Sequence, residues 1–143
     1  YDMIPLLFIS LTIIAGTFVS GMDAGLVYNN FPYMGDSIIP IEYGTLGLID
    51  PFENPVSAQF HHRLLASITL IIIILYSVNY IMKNPINLRI LILLFAIICQ
   101  FIIGVFTLLY SVPITLGAMH QFGGVLLFLS SIWLLHYPRN KTF

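Results

Sequence analysis

The sequence predicts an all-α membrane protein: an antiparallel four-helix transmembrane bundle with a long outer loop between its first and second helices. Three observations carry that expectation. Hydrophobic residues make up 59% of the 143-residue chain and charged residues only 8%, against about 25% charged in a soluble domain. Four stretches are apolar for long enough to cross a bilayer. The connections between them differ in kind, one long and two short.

The first span covers about residues 4–20, is the shortest, and would stand nearly upright. The second, third and fourth cover about 57–82, 86–110 and 114–136. Each approaches the roughly 20 apolar residues that the hydrocarbon core requires. Lys83-Asn84-Pro85 and Ser111-Val112-Pro113 are short turns, so the helices they join run antiparallel. The outer loop, 21–56, far exceeds the usual helix–helix connection. It is rich in Gly, Pro and aromatics, with Tyr28, Phe31, Tyr33, Tyr43 and Phe52. That content argues against disorder and for a partly folded cap on the membrane surface, with short interfacial helices. Residues 1–143 thus read as one four-helix domain. Tyr1-Asp2-Met3 offers no basic leader of a signal peptide. A first residue other than Met suggests a fragment or a processed product.

Charge supplies an orientation. The outer loop carries Asp23, Asp36, Glu42, Asp50 and Glu53 and no Lys or Arg. Lys83 and Arg89 flank the second connection, and Arg139 and Lys141 follow the fourth span. By the positive-inside rule, both termini face the cytoplasm, or the matrix of an organelle, and the acidic loop faces outward. With only 5 Lys plus Arg and no basic stripe, nucleic-acid binding is excluded. The single cysteine, Cys99, sits in an apolar run and reads as a small core residue.

Two histidines stand out. His62 and His120 each enter a span from the outer face, about six residues in, or roughly 9 Å deep at 1.5 Å per residue. An ionisable side chain inside a span is a functional-site hypothesis by default. Two imidazoles at one depth on different helices can clamp a single metal. In an apolar bundle the cofactor that suits them is a haem held by axial histidines. Gly117, Gly123 and Gly124 share the helical face of His120, and Ala66 lies one turn after His62, which allows close approach by a helix or a flat macrocycle. The plain alternative is a pair of interhelical hydrogen-bonding histidines.

Neighbouring residues weigh less. His61 points about 100° away from His62. His136, at the inner end of the fourth span, reads as an interfacial residue, and Trp133 as an interface anchor. Arg63 is the one basic residue in the outer half and can pair with a haem propionate, or else snorkel. Gln59 and Gln121 can orient ligands or line a pocket; Gln100 reads as a link between helices.

Three linked segments carry a resemblance. Gly21-Met22-Asp23-Ala24-Gly25-Leu26-Val27-Tyr28-Asn29-Asn30-Phe31-Pro32 is similar to an outer loop in the second half of haem A synthases. So is Phe52-Glu53-Asn54 followed by Gln59-Phe60-His61-His62-Arg63, and Ala118-Met119-His120-Gln121 resembles the family's last His-Gln site. The likeness covers nearly all of the chain and is closest to the proteobacterial and mitochondrial branch. It implies eight transmembrane helices in two similar halves, this chain being the C-terminal one. It implies oxidation of a methyl group of haem O to the formyl group of haem A, for cytochrome oxidase. It also implies that His62 and His120 bind haem B, so that Arg63, Gln59 and Gln121, read above from their positions, would lie around it.

The family's N-terminal half carries a Glu three residues before its His-Arg; the equivalent position here is Gln59, which cannot ionise. Catalytic groups are therefore expected in that other half, and this half is expected to hold a haem for structure or electron relay. His61 stands where an acidic residue is expected. The expected partners are the lipid bilayer of a bacterial or mitochondrial inner membrane, haem O through the other half, and an electron acceptor. Oligomeric state stays open, a homo-oligomer included. Two other readings stand beside this one: a free-standing four-helix b-type cytochrome, and a non-haem membrane subunit.

Overall fold

Asparagine and proline decide where the helices begin. Asn54 caps one of them, its side-chain oxygen accepting from Val56 N–H at 3.0 Å, with Pro55 in the first turn. Asn87 caps another by accepting from Arg89 and Ile90 N–H at 3.0 and 3.1 Å. Both use a short side-chain acceptor to satisfy N–H groups that a helix leaves bare at its start. In the computed structural model, which describes residues 3–136, the order is α1 (Met3–Gly21), a 3-10 turn Ala24–Leu26, a second 3-10 turn Gly47–Ile49, then α2 (Asp50–Glu53). After these come α3 (Pro55–Lys83), α4 (Leu88–Leu109) and α5 (Ile114–Leu135).

Helices α1, α3, α4 and α5 are long and apolar enough to cross a membrane. Among the described residues there is no strand, only an isolated bridge between Met34 and Ser37. The expected spans match these helices to within about two residues at each end, the spread usual for frayed ends. The second starts earlier than expected, at Pro55, because Asn54 caps it there. Arg139 and Lys141, which support the orientation, lie outside the described residues.

Four contacts close the helices into a ring: α1 on α3, α3 on α4, α4 on α5, and α5 back on α1. Thr12 and Thr69 hydroxyls meet at 2.7 Å, and Gly16 lies beside His62. Across α4 and α5, Arg89 donates to the Trp133 carbonyl, Gln100 to that of His120 and Thr107 to that of Leu116. In both pairs one helix's numbering rises as the other's falls.

The interior differs between its two ends. Ile73, Tyr80, Ile90, Leu93 and Leu134 fill the end near the α3–α4 turn. The end beneath the cap is hollow. Outward faces stay apolar, with Leu75, Phe95 and Phe122 each more than 60% exposed, which is the pattern of a surface solvated by lipid.

The segment between α1 and α3 folds onto this open end. Asn29 donates to the Gly25 and Leu108 carbonyls at 2.9 and 3.0 Å. Val112, a β-branched residue at φ 54°, turns the chain from α4 into α5 in the left-handed region, a conformation costly for its type. Its N–H to the Thr107 carbonyl, 2.8 Å, helps hold it there. A Cβ at Gly25 would stand 2.9 Å from a Val112 methyl, so glycine lets the cap settle on this turn.

Candidate functional site

The hollow end is a cavity of about 760 Å³, within the usual range for a cofactor or small-molecule site. Ile9, Thr69, Ile97 and Leu127 line it together with Gly25, Leu26 and Phe31 of the cap. His62 from α3 and His120 from α5 both face it, their ring centres 6.3 Å apart and their planes at 85°. His62 lies seven residues into α3 and His120 six into α5, so the matched depth expected from the sequence is present.

Each imidazole rests in a cradle made by a neighbouring helix, and the two cradles share a pattern. On α1, the Thr12 carbonyl lies 3.2 Å from His62 Nδ1, and Gly16, one turn later, leaves room for the ring: a Cβ there would stand 3.1 Å from Cε1. On α4, the Gln100 amide lies 3.2 Å from His120 Nδ1, and a Cβ on Gly104, one turn later, would stand 2.7 Å from Cε1. A carbonyl oxygen only accepts, so His62 Nδ1 carries the proton and its Nε2 keeps a lone pair.

Gln59 and Arg63, one turn apart on α3, also line the cavity. Gln59 is buried; its Nε2 donates to the Tyr28 carbonyl at 2.9 Å, while its Oε1 is buried without a partner. Arg63 donates to the carbonyls of Tyr28, Asn30 and Tyr33 at 2.7, 2.9 and 3.1 Å, and its Nε is buried without a partner. The guanidinium thus clips the cap to α3, a role in addition to the propionate pairing expected of it. Gln121 reaches the cavity wall from an exposed position, and Gly117, Gly124 and Ala66 line the same cavity.

The remaining candidates lie elsewhere. His61 meets the Tyr43 hydroxyl at 3.2 Å within the cap. His136 is exposed at the end of α5, its Nδ1 2.9 Å from the Ile132 carbonyl. Trp133 sits under the Arg89 guanidinium at 4.9 Å, a cation–π contact near the far end. Sequence reading missed Thr12, Gly16 and Gly104. Their signal was present: a polar residue followed by glycine one turn later, Thr12/Gly16 and Gln100/Gly104, on two apolar helices.

The cap has its own polar centre. Asp50 is buried and accepts from Gly44 and Leu46 N–H at 2.9 Å each and from the Asn54 amide at 3.0 Å. Burial works to raise its pKa, but hydrogen bonds from Ser57, Leu46, Asn54 and Gly44 outweigh it and hold the carboxyl well below the usual carboxylate range. Tyr28 donates to Glu42 at 2.9 Å, and that bond, with burial and the carboxylate's charge, pushes its pKa up. These bonds stiffen the far part of the cap, residues 42–54. Only the near part, with Asp23, Gly25, Leu26 and Phe31, reaches the cavity.

No solved structure matches this chain. Among curated proteins it is 36% identical to the Heme A synthase of Wolbachia pipientis subsp. Culex pipiens, over 99% of this chain and 42% of that protein. It is 41% identical to the Heme A synthase of the Wolbachia of Brugia malayi, over 99% of this chain and 42% of that protein. With human Heme A synthase COX15 it shares 39% identity over 91% of this chain and 33% of that protein. The chain therefore spans about two fifths of the length of the bacterial relatives and a third of the human one. The family model for COX15-CtaA, cytochrome oxidase assembly protein, matches residues 2–132. With four membrane-length helices and that match over nearly its whole length, the chain is a membrane protein of the COX15-CtaA cytochrome oxidase assembly family.

Proposed function

We propose that this chain is the haem-B-binding half of a haem A synthase, with His62 and His120 as axial ligands of one haem. The 6.3 Å between ring centres carries this reading. Two imidazoles that share one metal at metal–nitrogen distances of about 2 Å have their centres roughly 6 Å apart. Among the described residues no group of three or more His, Cys, Asp or Glu could hold a metal ion. A pair of imidazoles leaves a zinc-type site short of its usual ligands, whereas a haem brings four nitrogens and needs only axial ones. The cavity has the volume and apolar lining such a macrocycle needs. The glycines beside each ring supply clearance, and the buried unpartnered Gln59 Oε1 and Arg63 Nε are polar atoms left for a ligand.

A b-type haem held there supplies one-electron transfer. The protein's part is to fix both rings, keep water out and set the donor strength of each imidazole. Thr12 orients His62 through its carbonyl. Arg63 and Gln59 hold the cap over the mouth, and Arg63 Nε and Gln121, both at the cavity, would be the groups to pair with propionates. Gln59 cannot ionise, so this reading places methyl oxidation of haem O in a further half of the protein, and a haem held by His62 and His120 would serve structure or electron relay. The opposed numbering across α1/α3 and α4/α5 supports an antiparallel four-helix bundle. The acidic cap, with Asp23, Asp36, Glu42, Asp50 and Glu53, supports its placement on the outer face, with the α3–α4 turn inside a bacterial or mitochondrial inner membrane.

The experiment is the haem content and reduced-minus-oxidised spectrum of the membrane-purified protein. A low-spin bis-histidine b-type spectrum is expected. His62→Ala or His120→Ala should abolish it, and His61→Ala and His136→Ala should preserve it. A protein without haem, or a spectrum indifferent to both cavity histidines, would refute the assignment. Haem A formed from haem O by these four helices alone would overturn the division of labour.

A further inference from the structure

The cavity has one open side. Its lining residues on α3 and α4 are all buried or half-buried. The exposed ones belong to α1, α5 and the near cap, among them Ile13 and Thr17 on α1 and Gln121 and Val125 on α5. Helix geometry gives the reason. Thr12 and Gly16 turn to α3, where they meet Thr69 and His62. Ile13 and Thr17 follow them by one residue, about 100° further round, and so look toward α5. On α5, His120 and Gly124 turn to Gln100 of α4. Gln121 and Val125 stand the same step away from them, toward α1.

The other sides are shut. Arg63 of α3 holds the Asn30 and Tyr33 carbonyls, and Phe31 between them meets Phe101 of α4 edge-on, ring centres 6.1 Å apart. The near cap thus bridges α3 to α4. Asn29 and Gly25 seat the same segment on the α4–α5 turn. Ile9 of α1 and Leu127 of α5 belong to one buried cluster and floor the cavity. What remains is an opening between the outer halves of α1 and α5.

Its rim suits acyl chains. Leu11 and Ile14 on α1 and Phe122, Leu126 and Leu129 on α5 are exposed and continue the apolar belt of the bundle. A seam that packs another helix presents small residues outward; this rim presents large ones. The rim hydroxyl of Thr17 already donates to the Ile14 carbonyl of its own helix at 2.7 Å and calls for no outside partner. The cap, by contrast, exposes Asp23, Asp36, Glu42 and Glu53, an acidic face that repels a ligand bearing propionates.

We propose that the opening between α1 and α5 is a lateral port, through which a haem passes edge-on from the outer leaflet to His62 and His120. The lipid phase, not the aqueous side, then supplies the cofactor, and its donor is a membrane-resident source of tetrapyrrole. The identity of the ligand rests on the bis-histidine reading above; the position of the port does not, and the test separates the two.

The test uses the complete protein in phosphatidylcholine vesicles. A photoreactive side chain at the rim, Val125→benzoylphenylalanine, is illuminated and its adduct weighed by mass spectrometry. A phospholipid adduct is expected. A protein adduct, whether to a second copy or to another segment, would show the seam covered and overturn the port whatever the haem spectrum. Loading is then followed in haem-depleted protein, with haemin dissolved in the vesicles, by the growth of the low-spin spectrum. Thr17→Trp and Val125→Trp crowd the opening and should slow loading about tenfold while reaching the wild-type spectrum in the end. Phe95→Trp, on the outward face of α4, should load at the wild-type rate. Val125→Ala widens the opening and should load faster, which keeps the test decisive if a tryptophan variant does not fold. Wild-type rates in the folded rim variants overturn the port. A wild type that forms no low-spin haem overturns the bis-histidine reading, and a lipid adduct at 125 would still locate the opening.

Discussion

Gly104→Ala tests whether the cavity is shaped around the His120 ring. The new Cβ would stand 2.7 Å from His120 Cε1 and 3.3 Å from Nδ1. Ordinary contact begins at 3.4 Å, so the ring must retreat by about 0.7 Å (3.4 minus 2.7). The same movement disturbs the contact of Nδ1 with the Gln100 amide, now 3.2 Å. Gly16→Ala makes the same change at His62 more gently: 3.1 Å from Cε1, hence about 0.3 Å of movement. Gly21→Ala meets nothing within 4 Å and serves as the control.

Alanine gains roughly 0.5–1 kcal/mol over glycine inside a helix, and overpacking costs about 1–3 kcal/mol. The net for Gly104→Ala is a destabilisation of about 0–2.5 kcal/mol, so the variant should fold. Its effect on the site should be larger, because disturbing the support of a metal ligand typically costs about 10–100-fold in affinity. The assay is the haem-to-protein ratio after gel filtration, with the reduced-minus-oxidised spectrum and the thermal midpoint. Haem loss should be greatest for Gly104→Ala, smaller for Gly16→Ala and absent for Gly21→Ala. A Gly104→Ala protein with full haem and an unshifted spectrum would refute the reasoning, since a ring gripped there could not escape the new methyl unnoticed.

Two further expectations concern the cap. Asp50 is held below its ordinary pKa in the fold, so its contribution to stability is complete above the unfolded value of about 3.9 and is lost as pH falls from there through the lower folded value. Limited proteolysis between residues 33 and 50 should be flat from about pH 8 to 5 and accelerate below about pH 4; Asp50→Asn should be labile at neutral pH and lack the acid step, and an unchanged step would assign the titration to another group. Arg63→Lys keeps the charge but loses the planar fork that spans the carbonyls of Tyr28, Asn30 and Tyr33. Losing even one such bond costs about 1.5–3 kcal/mol, so cleavage within 28–33 should quicken and haem retention fall; full retention with Lys would show that charge alone suffices.

Much of this protein is legible in one dimension because a bilayer imposes few choices. A span must be helical and about 20 residues long to satisfy its own backbone in lipid, so apolar runs mark the four long helices directly. The same logic singled out His62 and His120, since a titratable side chain in such a run is costly enough to need a reason. Aromatic content and length marked the 21–56 segment as folded, and α2 with its two 3-10 turns occupies it. Harder to read was which of His61 and His62 faces inward. Adjacent residues on a helix point about 100° apart, and the packing of α1 against α3 turned His62 to the cavity and His61 to Tyr43.

Only the tertiary structure decided how the histidines are held. Apolar runs and charge bias are properties of single segments, and they determine what crosses the membrane. A cradle is a property of two segments at once: Gly104 has meaning only where His120 lies against it, and the Gln100 amide only where its nitrogen meets the His120 carbonyl. Arg63 shows the same divide. Its type and position suggested a charge for a propionate, while the fold also gave it three cap carbonyls from residues 30–35 positions away. Hydrogen bonds and close packing act over about 3–4 Å between residues far apart in the chain, and periodicity along one helix carries no record of which neighbour lies within that reach.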